Sequence, residues 1–370
     1  MILNSLQLYQ FRNYEQIELA FDSPVNLFIG QNAQGKTNLL ESIYALALSK
    51  SHRTHKDKEL IRWGAKQARI SAEIEKKYGP CRLDLLLASS GKRAKINGLE
   101  QKKLSDFIGT LNVVMFAPED LDIVKGAPGI RRRFMDMEIA QVEPRYLYHL
   151  TRFQKVLQQR NLYLKQQRDP NAIDLGMLEV WDRQLAEHGS KIMKKRQNFI
   201  SKLQIVAAQI HDSITEGKER LKIVYQPSVE SEDFADETVL FERFMLKLSQ
   251  IRMQEIRRGI TLAGPHRDDI LFYINDKEAG TYGSQGQQRT TALSVKLAEI
   301  ELMKDEIGEY PVLLLDDVLS ELDRSRQMRL IETFKDKVQT FITATEIDSI
   351  DKNRLGDARI FRVVDGRVLK

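Results

Sequence analysis

A single cysteine, Cys81, stands in 370 residues. It cannot form an intrachain disulfide, which agrees with a reducing compartment and argues against structural zinc. No apolar run approaches the roughly 18 to 20 residues that a membrane helix needs. The first residues, Met1 to Gln7, lack the charged and apolar segments of a signal peptide or anchor. A cytoplasmic chain without a membrane partner is expected. A large charge excess is missing too: 57 Lys and Arg face 52 Asp and Glu, a net charge of +5. That admits a polyanionic partner without proving one. The length exceeds one typical domain, so two domains, or one with a substantial insertion, are expected.

The most specific stretch is Gly30-Gln31-Asn32-Ala33-Gln34-Gly35-Lys36-Thr37, which has the form of a P-loop. Two glycines let the backbone curl so that its N–H groups face phosphate oxygens. Lys36 reaches the β and γ phosphates of ATP, and the Thr37 hydroxyl is placed for Mg²⁺. The short apolar run Val25–Ile29 before it reads as a buried parallel strand, and Asn38–Leu46 after it as a helix.

Elsewhere the pattern alternates. Leu6–Tyr9 and Gln16–Phe21 read as strands joined through Phe11–Tyr14, and Arg69–Ile74 and Cys81–Leu86 as a further pair. Asn97-Gly98 is a hairpin signal. Two basic stretches are either solvated surface or contacts to a DNA backbone. One is Lys50 to Lys58, with Lys50, Arg53 and Lys56. The other is the hairpin carrying Lys92, Arg93 and Lys95. Beyond Val113–Ala117 the period becomes helical. Tyr146, Leu150, Phe153, Leu157 and Leu164 form one stripe, and Leu178, Trp181, Leu185, His188, Ile192 and Phe199 another. A helix of about 40 residues would run roughly 60 Å, so these helices are expected to form an arm. Asp169-Pro170-Asn171 breaks the first. His188 is read as a packed histidine rather than a ligand, since no metal-type residue has matching spacing. Gly259–Ala263 and Ile270–Ile274 read as strands around the corner Gly264–Asp269. That corner is either structural, a DNA contact or a hydrolytic constellation.

Near the other end, Pro311–Leu315 is an apolar run closed by Asp316 and Asp317, as in a Walker B element. Asp316 would hold Mg²⁺ through water, and Asp317 sits where a general base orients the attacking water. About thirty residues upstream, Ser284-Gln285-Gly286-Gln287-Gln288-Arg289 opens a helical run and matches the ABC signature. In that class the serine hydroxyl, the glycine N–H and the flanking glutamine, here Ser284, Gly286 and Gln287, close over the γ-phosphate of a nucleotide on a second subunit. Ser320–Asp323 occupies the D-loop position.

P-loop and Walker B lie about 280 residues apart. The expected fold is therefore α/β: an ABC-type P-loop ATPase head of mixed sheets with flanking helices, built from residues 1–115 and 259–370, with an inserted mainly helical arm at 116–258. Such a head resembles the SMC-like ATPases. On Phe11–Tyr14, Gly30–Asn38, Phe116–Leu121, Arg131–Asp136, Gly264–Asp269, Ser284–Arg289 and Leu313–Asp323, the sequence resembles the RecF family of bacterial recombination mediators. The resemblance implies an ATP-dependent homodimer that binds single-stranded, gapped or junction DNA. It also implies work with RecR and RecO to load RecA in gap repair, fork restart and SOS induction. Against the general ABC pattern, Pro118-Glu119-Asp120 stands at the Q-loop position, Glu346 replaces the switch histidine, and Asp317 is one methylene shorter than Glu. Slow hydrolysis serving as a switch is the expectation. The alternatives are an SMC-like ATPase with nuclease activity at His266–Asp269, or an ABC subunit coupled to transport.

Overall fold

The computed structural model describes residues 1–166, 174–335, 337–345 and 357–369. They fall into two compact units. One comprises Met1–Leu121, Gln209–Lys218 and Arg289–Lys370, the other Asp122–Ala208 and Glu219–Gln288. The expected break at 169–171 and the position of Glu346 lie outside the described residues.

In chain order the elements begin with β1 (Ile2–Phe11), β2 (Tyr14–Ala20), β3 (Val25–Ile29), α1 (Lys36–Leu48), β4 (Gln67–Lys76), β5 (Gly79–Ala88), β6 (Gly91–Ile96), β7 (Leu99–Glu100) and β8 (Val113–Phe116). Next come α2 (Leu121–Lys125), α3 (Pro128–Val142), α4 (Pro144–Gln166), α5 (Leu175–Thr215), β9 (Leu221–Gln226), α6 (Glu237–Arg258), β10 (Asp269–Ile274), β11 (Lys277–Glu278), α7 (Ala279–Tyr282) and α8 (Gln285–Ile307). The chain closes with β12 (Val312–Asp316), α9 (Val318–Glu321), α10 (Arg324–Phe334), β13 (Thr340–Ala344), β14 (Ala358–Val364) and β15 (Arg367–Leu369).

The first unit holds two six-stranded sheets. One is antiparallel, in the order β2-β1-β4-β5-β6-β7. Its strands alternate buried and exposed residues, as in β1, because one face meets the core. The other runs β15-β14-β3-β13-β12-β8 and is parallel apart from β15. Its central strands β12 and β13 are buried at every position. That is why their sequences are apolar throughout rather than alternating. Helix α1 packs against β12 and β13 and also against β1, β4 and β5, so it is apolar nearly all round. Phe21, Phe28, Phe341 and Phe361 close the core with mostly edge-to-face contacts.

The second unit is helical, with one small sheet in the order β11-β10-β9. Helix α5, of 41 residues, is about 60 Å long. Leu150, Phe153 and Leu164 on α4 and Leu178, Leu185 and Ile192 on α5 are buried as their spacing implies. Two residues on those faces are arginines. Arg160, fully buried, donates to Asp182 on α5 (2.7 Å), to Glu255 on α6 (2.6 Å) and to Thr261 (2.8 Å). Arg196 bonds Asp136 (2.8 Å), the Tyr146 hydroxyl (3.0 Å), the Pro265 carbonyl (2.6 Å) and Asp268 (3.3 Å). Each tie holds segments far apart in sequence.

Two expectations differ from this architecture. Gly259–Ala263 is not a strand: Gly259, at φ 66°, ends α6, and Thr261 is held by the Asn161 side chain. Residues 259–288, assigned from the sequence to the head, belong to the second unit, where β10 pairs with β9. Residues 116–121 and 209–218 belong to the first unit.

Candidate functional site

The P-loop leaves β3 and enters α1. Gly35 lies at φ 114°, a left-handed conformation that a side chain would strain, and a Cβ there would meet the Asn13 amide at 2.5 Å. At Gly30 a Cβ would stand 2.3 Å from the Val363 carbonyl. Gln31, Asn32 and Ala33 form the exposed crest, and Gln34 the descending limb. Lys36 is buried, its ammonium donating to the carbonyls of Gly30 (2.5 Å) and Gln31 (2.9 Å). Burial pulls its pKa down, opposed by the charges of Asp317 and Asp316.

Two parallel strands deliver the acidic side of the site. Because β13 lies between β3 and β12, the ends of all three come together at one rim of the sheet. There Asp316 Oδ1 accepts from the hydroxyls of Thr37 (2.9 Å) and Thr343 (2.8 Å). Burial raises the Asp316 pKa, the two hydroxyl bonds lower it, Glu119 raises it and Arg53 lowers it, with the net shift upward. Asp317 follows at φ 54°, a left-handed position that Asp tolerates better than most residues, and its N–H donates to Thr343 Oγ1 (2.9 Å). Glu119 acts on Asp316 from the turn after β8, the strand beside β12. Pro118–Asp120 thus occupies the rim where a Q-loop would lie.

The turn between β1 and β2, read from the sequence only as a connection, clasps the loop. Tyr14 donates to the Gly35 carbonyl (3.0 Å), and Asn13 donates to the Gln34 carbonyl (3.0 Å) and accepts from Asn38 (2.8 Å). Arg12 forms a two-pronged bond to Glu41 of α1 (2.7 and 2.6 Å). Burial pushes the Glu41 carboxyl up, and Arg12 and Ser51 more than offset it, leaving its pKa below the usual range. From the far end of the chain, the N–H groups of Asp365 and Gly366 reach the Gln34 side chain (2.6 Å) and carbonyl (3.1 Å).

Ser284–Gln288 of the signature lie in the second unit, at the start of α8. Ser284 Oγ accepts from the Gln287 N–H (3.2 Å), while the Ser284 N–H donates to the Gln287 side chain (2.9 Å), a capping box. Gln287 also donates to Glu219 (3.0 Å). Ser284 is exposed, and Gly286 sits in the first turn of α8. In the D-loop region Asp323 caps α10 through the Arg326 N–H (3.0 Å). The side chains of Ser320 and Glu321 lie outside the described residues.

The two basic stretches are joined at one residue. Lys92 of β6 donates to the Ser49 carbonyl (2.5 Å) and pairs with Asp57 (2.6 Å), binding hairpin to loop. Its charge is spent there, whereas Lys50, Lys56, Arg93 and Lys95 are exposed. Arg53 leans towards the nucleotide loop, bonding Asn38 (3.1 Å) and lying 3.8 Å from Glu41.

The corner at His266–Asp269 is occupied by its own contacts. Asp268 accepts from Tyr225 and from the Ser228 N–H (2.8 Å), and Asp269 pairs with Arg131 in a two-pronged bond (2.6 and 2.7 Å). Among the described residues no three His, Cys, Asp or Glu side chains are grouped to hold a metal. His188, however, meets His149 of α4, Nδ1 to Nδ1 at 3.2 Å, a neighbour that spacing along one helix could not reveal.

The family model "RecF/RecN/SMC N terminal domain" matches residues 2–363. Curated proteins named DNA replication and repair protein RecF are 53% identical over 369 residues in Oceanobacillus iheyensis and 52% over 370 in Staphylococcus carnosus, each covering 100% of both chains. The chain belongs to the RecF family. A solved structure described as the recombination mediator protein RecF with ATP in the RecFOR pathway shares 34% identity, with a TM-score of 0.92 over 100% of this chain and 97% of that one. The Smc head domain of Pyrococcus furiosus, at 15% identity over 99% of this chain and 95% of that one, has a TM-score of 0.56 and shares the fold alone. This RecF-family fold is thus an ABC-type ATPase head with a helical insertion. No helix among its described residues is long and apolar enough to cross a membrane.

Proposed function

We propose that this RecF-family chain is an ATP-gated DNA-binding switch of gap repair. The observation that carries the reading is the convergence of Thr37 and Thr343 on Asp316, with Lys36 held in the same loop. A buried ammonium resting on its own loop's carbonyls and a buried carboxylate fed by two hydroxyls fit an anion and a divalent cation. The Gly30–Thr37 loop would hold ATP, with Lys36 against its terminal phosphates. Thr37 and Asp316 would hold Mg²⁺, which supplies charge neutralisation at those phosphates. Asp317 orients the attacking water. Its short side chain and the Glu119 carboxylate beside Asp316 both favour slow turnover.

Ser284 is already oriented by its capping bond, which leaves its own O–H to donate. Together with the positive end of the α8 dipole it suits the γ-phosphate of a second copy, so ATP joins two chains. Lys50, Lys56, Arg93 and Lys95, all exposed, would then meet the backbone of single-stranded, gapped or junction DNA. A solved relative in the RecFOR pathway supports RecR and RecO as partners, and RecA would be the recombinase loaded. The commitments of Asp268 and Asp269 to Tyr225, Ser228 and Arg131 disfavour the nuclease reading.

Ser284→Arg tests the proposal. ATP binding is expected to persist while the ATP-dependent doubling of mass in light scattering disappears. A variant that still doubles with ATP would sink the two-chain site.

A further inference from the structure

Large aromatic side chains are usually among the most buried, yet Trp63 is 100% exposed. Its backbone is not loose. The Arg62 N–H donates to the Gln10 carbonyl (2.8 Å), Ile61 bridges to Phe11 of β1, and the Ala65 N–H closes a turn on the Arg62 carbonyl (2.9 Å). Within that turn Gly64 takes φ 84°, the left-handed value that a glycine supplies at the third position of a tight turn. An indole is therefore held out in water at the tip of a pinned turn.

Its neighbours along the chain are rich in cations, although Arg62 pairs with Glu15 (3.3 Å) and Lys56 lies 3.8 Å from Glu59. Trp63 follows the loop carrying Lys50, Arg53, Lys56 and Lys58, Arg62 precedes it and exposed Lys66 comes three residues later. Through Lys92 the same loop is bound to the hairpin bearing Arg93 and Lys95. A rigid aromatic face within a basic surface suits one chemistry above others, a single strand whose bases stack on the ring while its phosphates meet lysine and arginine. A continuous duplex does not suit it, because the base faces are covered by their neighbours except at an end.

We infer that Trp63 is the stacking platform for an unpaired base, the element of the DNA surface that favours a single strand or its junction over intact duplex. The inference rests on the DNA-binding reading above and names the residue that gives it structural preference.

The test uses the full chain with ATP and Mg²⁺ and follows fluorescence anisotropy of labelled gapped, single-stranded and blunt duplex oligonucleotides. Trp63→Ala is expected to weaken binding to the first two by roughly tenfold or more and to leave the duplex within about twofold. Trp63→Phe is expected to recover part of the loss. Because Trp181 is the one other tryptophan, Trp181→Phe leaves Trp63 as the sole indole, and its emission is expected to be quenched by single-stranded but not by duplex DNA. If the wild-type chain binds gapped DNA and Trp63→Ala binds it equally well, the inference falls while the DNA reading stands. That outcome would turn attention to a protein partner at the indole. If the wild-type chain binds no DNA, both fall together.

Discussion

In the first unit Lys36 and Asp316 are withdrawn from water, with carbonyls beside the ammonium and hydroxyls beside the carboxylate. In the second, Arg160 and Arg196 are withdrawn further, and each meets two carboxylates, Asp182 and Glu255 for one and Asp136 and Asp268 for the other. The two arrangements answer the same desolvation penalty differently. Charges neutralised within the chain cross-tie helices and need nothing more, while charges left beside neutral groups gain most when a ligand arrives. Burial alone therefore does not mark a site. The nature of the partner does.

The sharpest way to break this comparison is to remove one member of a neutralised set. Arg160→Met leaves Glu255 buried without its cation and Asp182 with only the more distant Arg252 (3.7 Å), and unfolding in urea followed by circular dichroism is expected to show a loss of about 3–5 kcal/mol. A loss under 1 kcal/mol would mean that the ties do not hold the helices. The matching change in the first unit, Lys36→Ala, is expected to leave the urea midpoint unchanged or slightly raised. It should weaken ATP binding by about a hundredfold, the worth of a strong charged hydrogen bond. Calorimetric titration checks the second half, and a large fall in stability would erase the distinction between the units.

A smaller effect sharpens the account of the second unit through pH. Burial pushes His266 down to about 4, the Thr261 carbonyl raises it, and Arg267, Arg132 and Arg160 lower it further. An unfolded histidine titrates near 6.5, so the fold favours the neutral ring. Its contribution is fully present above about pH 6.5 and is lost as pH falls from there through 4. The loss amounts to roughly 3 kcal/mol. His266→Gln is expected to flatten stability over that window, and an unchanged slope would place the titrating group elsewhere.

The features legible in the sequence were those carried by contiguous residues. Gly30–Thr37, the apolar run into Asp316 and the Ser284–Gln287 box each specify their local backbone. Asn97-Gly98 likewise forms its turn, with both residues at positive φ. What escaped depended on residues far apart in sequence. Arg160 and Arg196 look like solvent-facing charges on helices, and the carboxylates that make their burial tolerable include Glu255 and Asp268, 95 and 72 positions away. The Asn13 and Tyr14 clasp, the union of the two basic stretches by Lys92 and Asp57, and the meeting of His149 with His188 are of the same kind. Gly259–Ala263 misled for the opposite reason. Its residues suit a strand, but a helix terminus and the Asn161 side chain had already claimed its hydrogen bonds.

The strand that leads into the P-loop has both of its neighbours, β13 and β14, supplied from about 300 residues further along the chain, and Asp365 and Gly366 complete the grip on Gln34. During synthesis, β3 must therefore wait as an unpaired apolar segment while the helical unit emerges and folds. The nucleotide pocket takes shape only once those late strands have docked. A truncated product lacking β13 onwards would leave β3 without either neighbour and Gln34 without its hold.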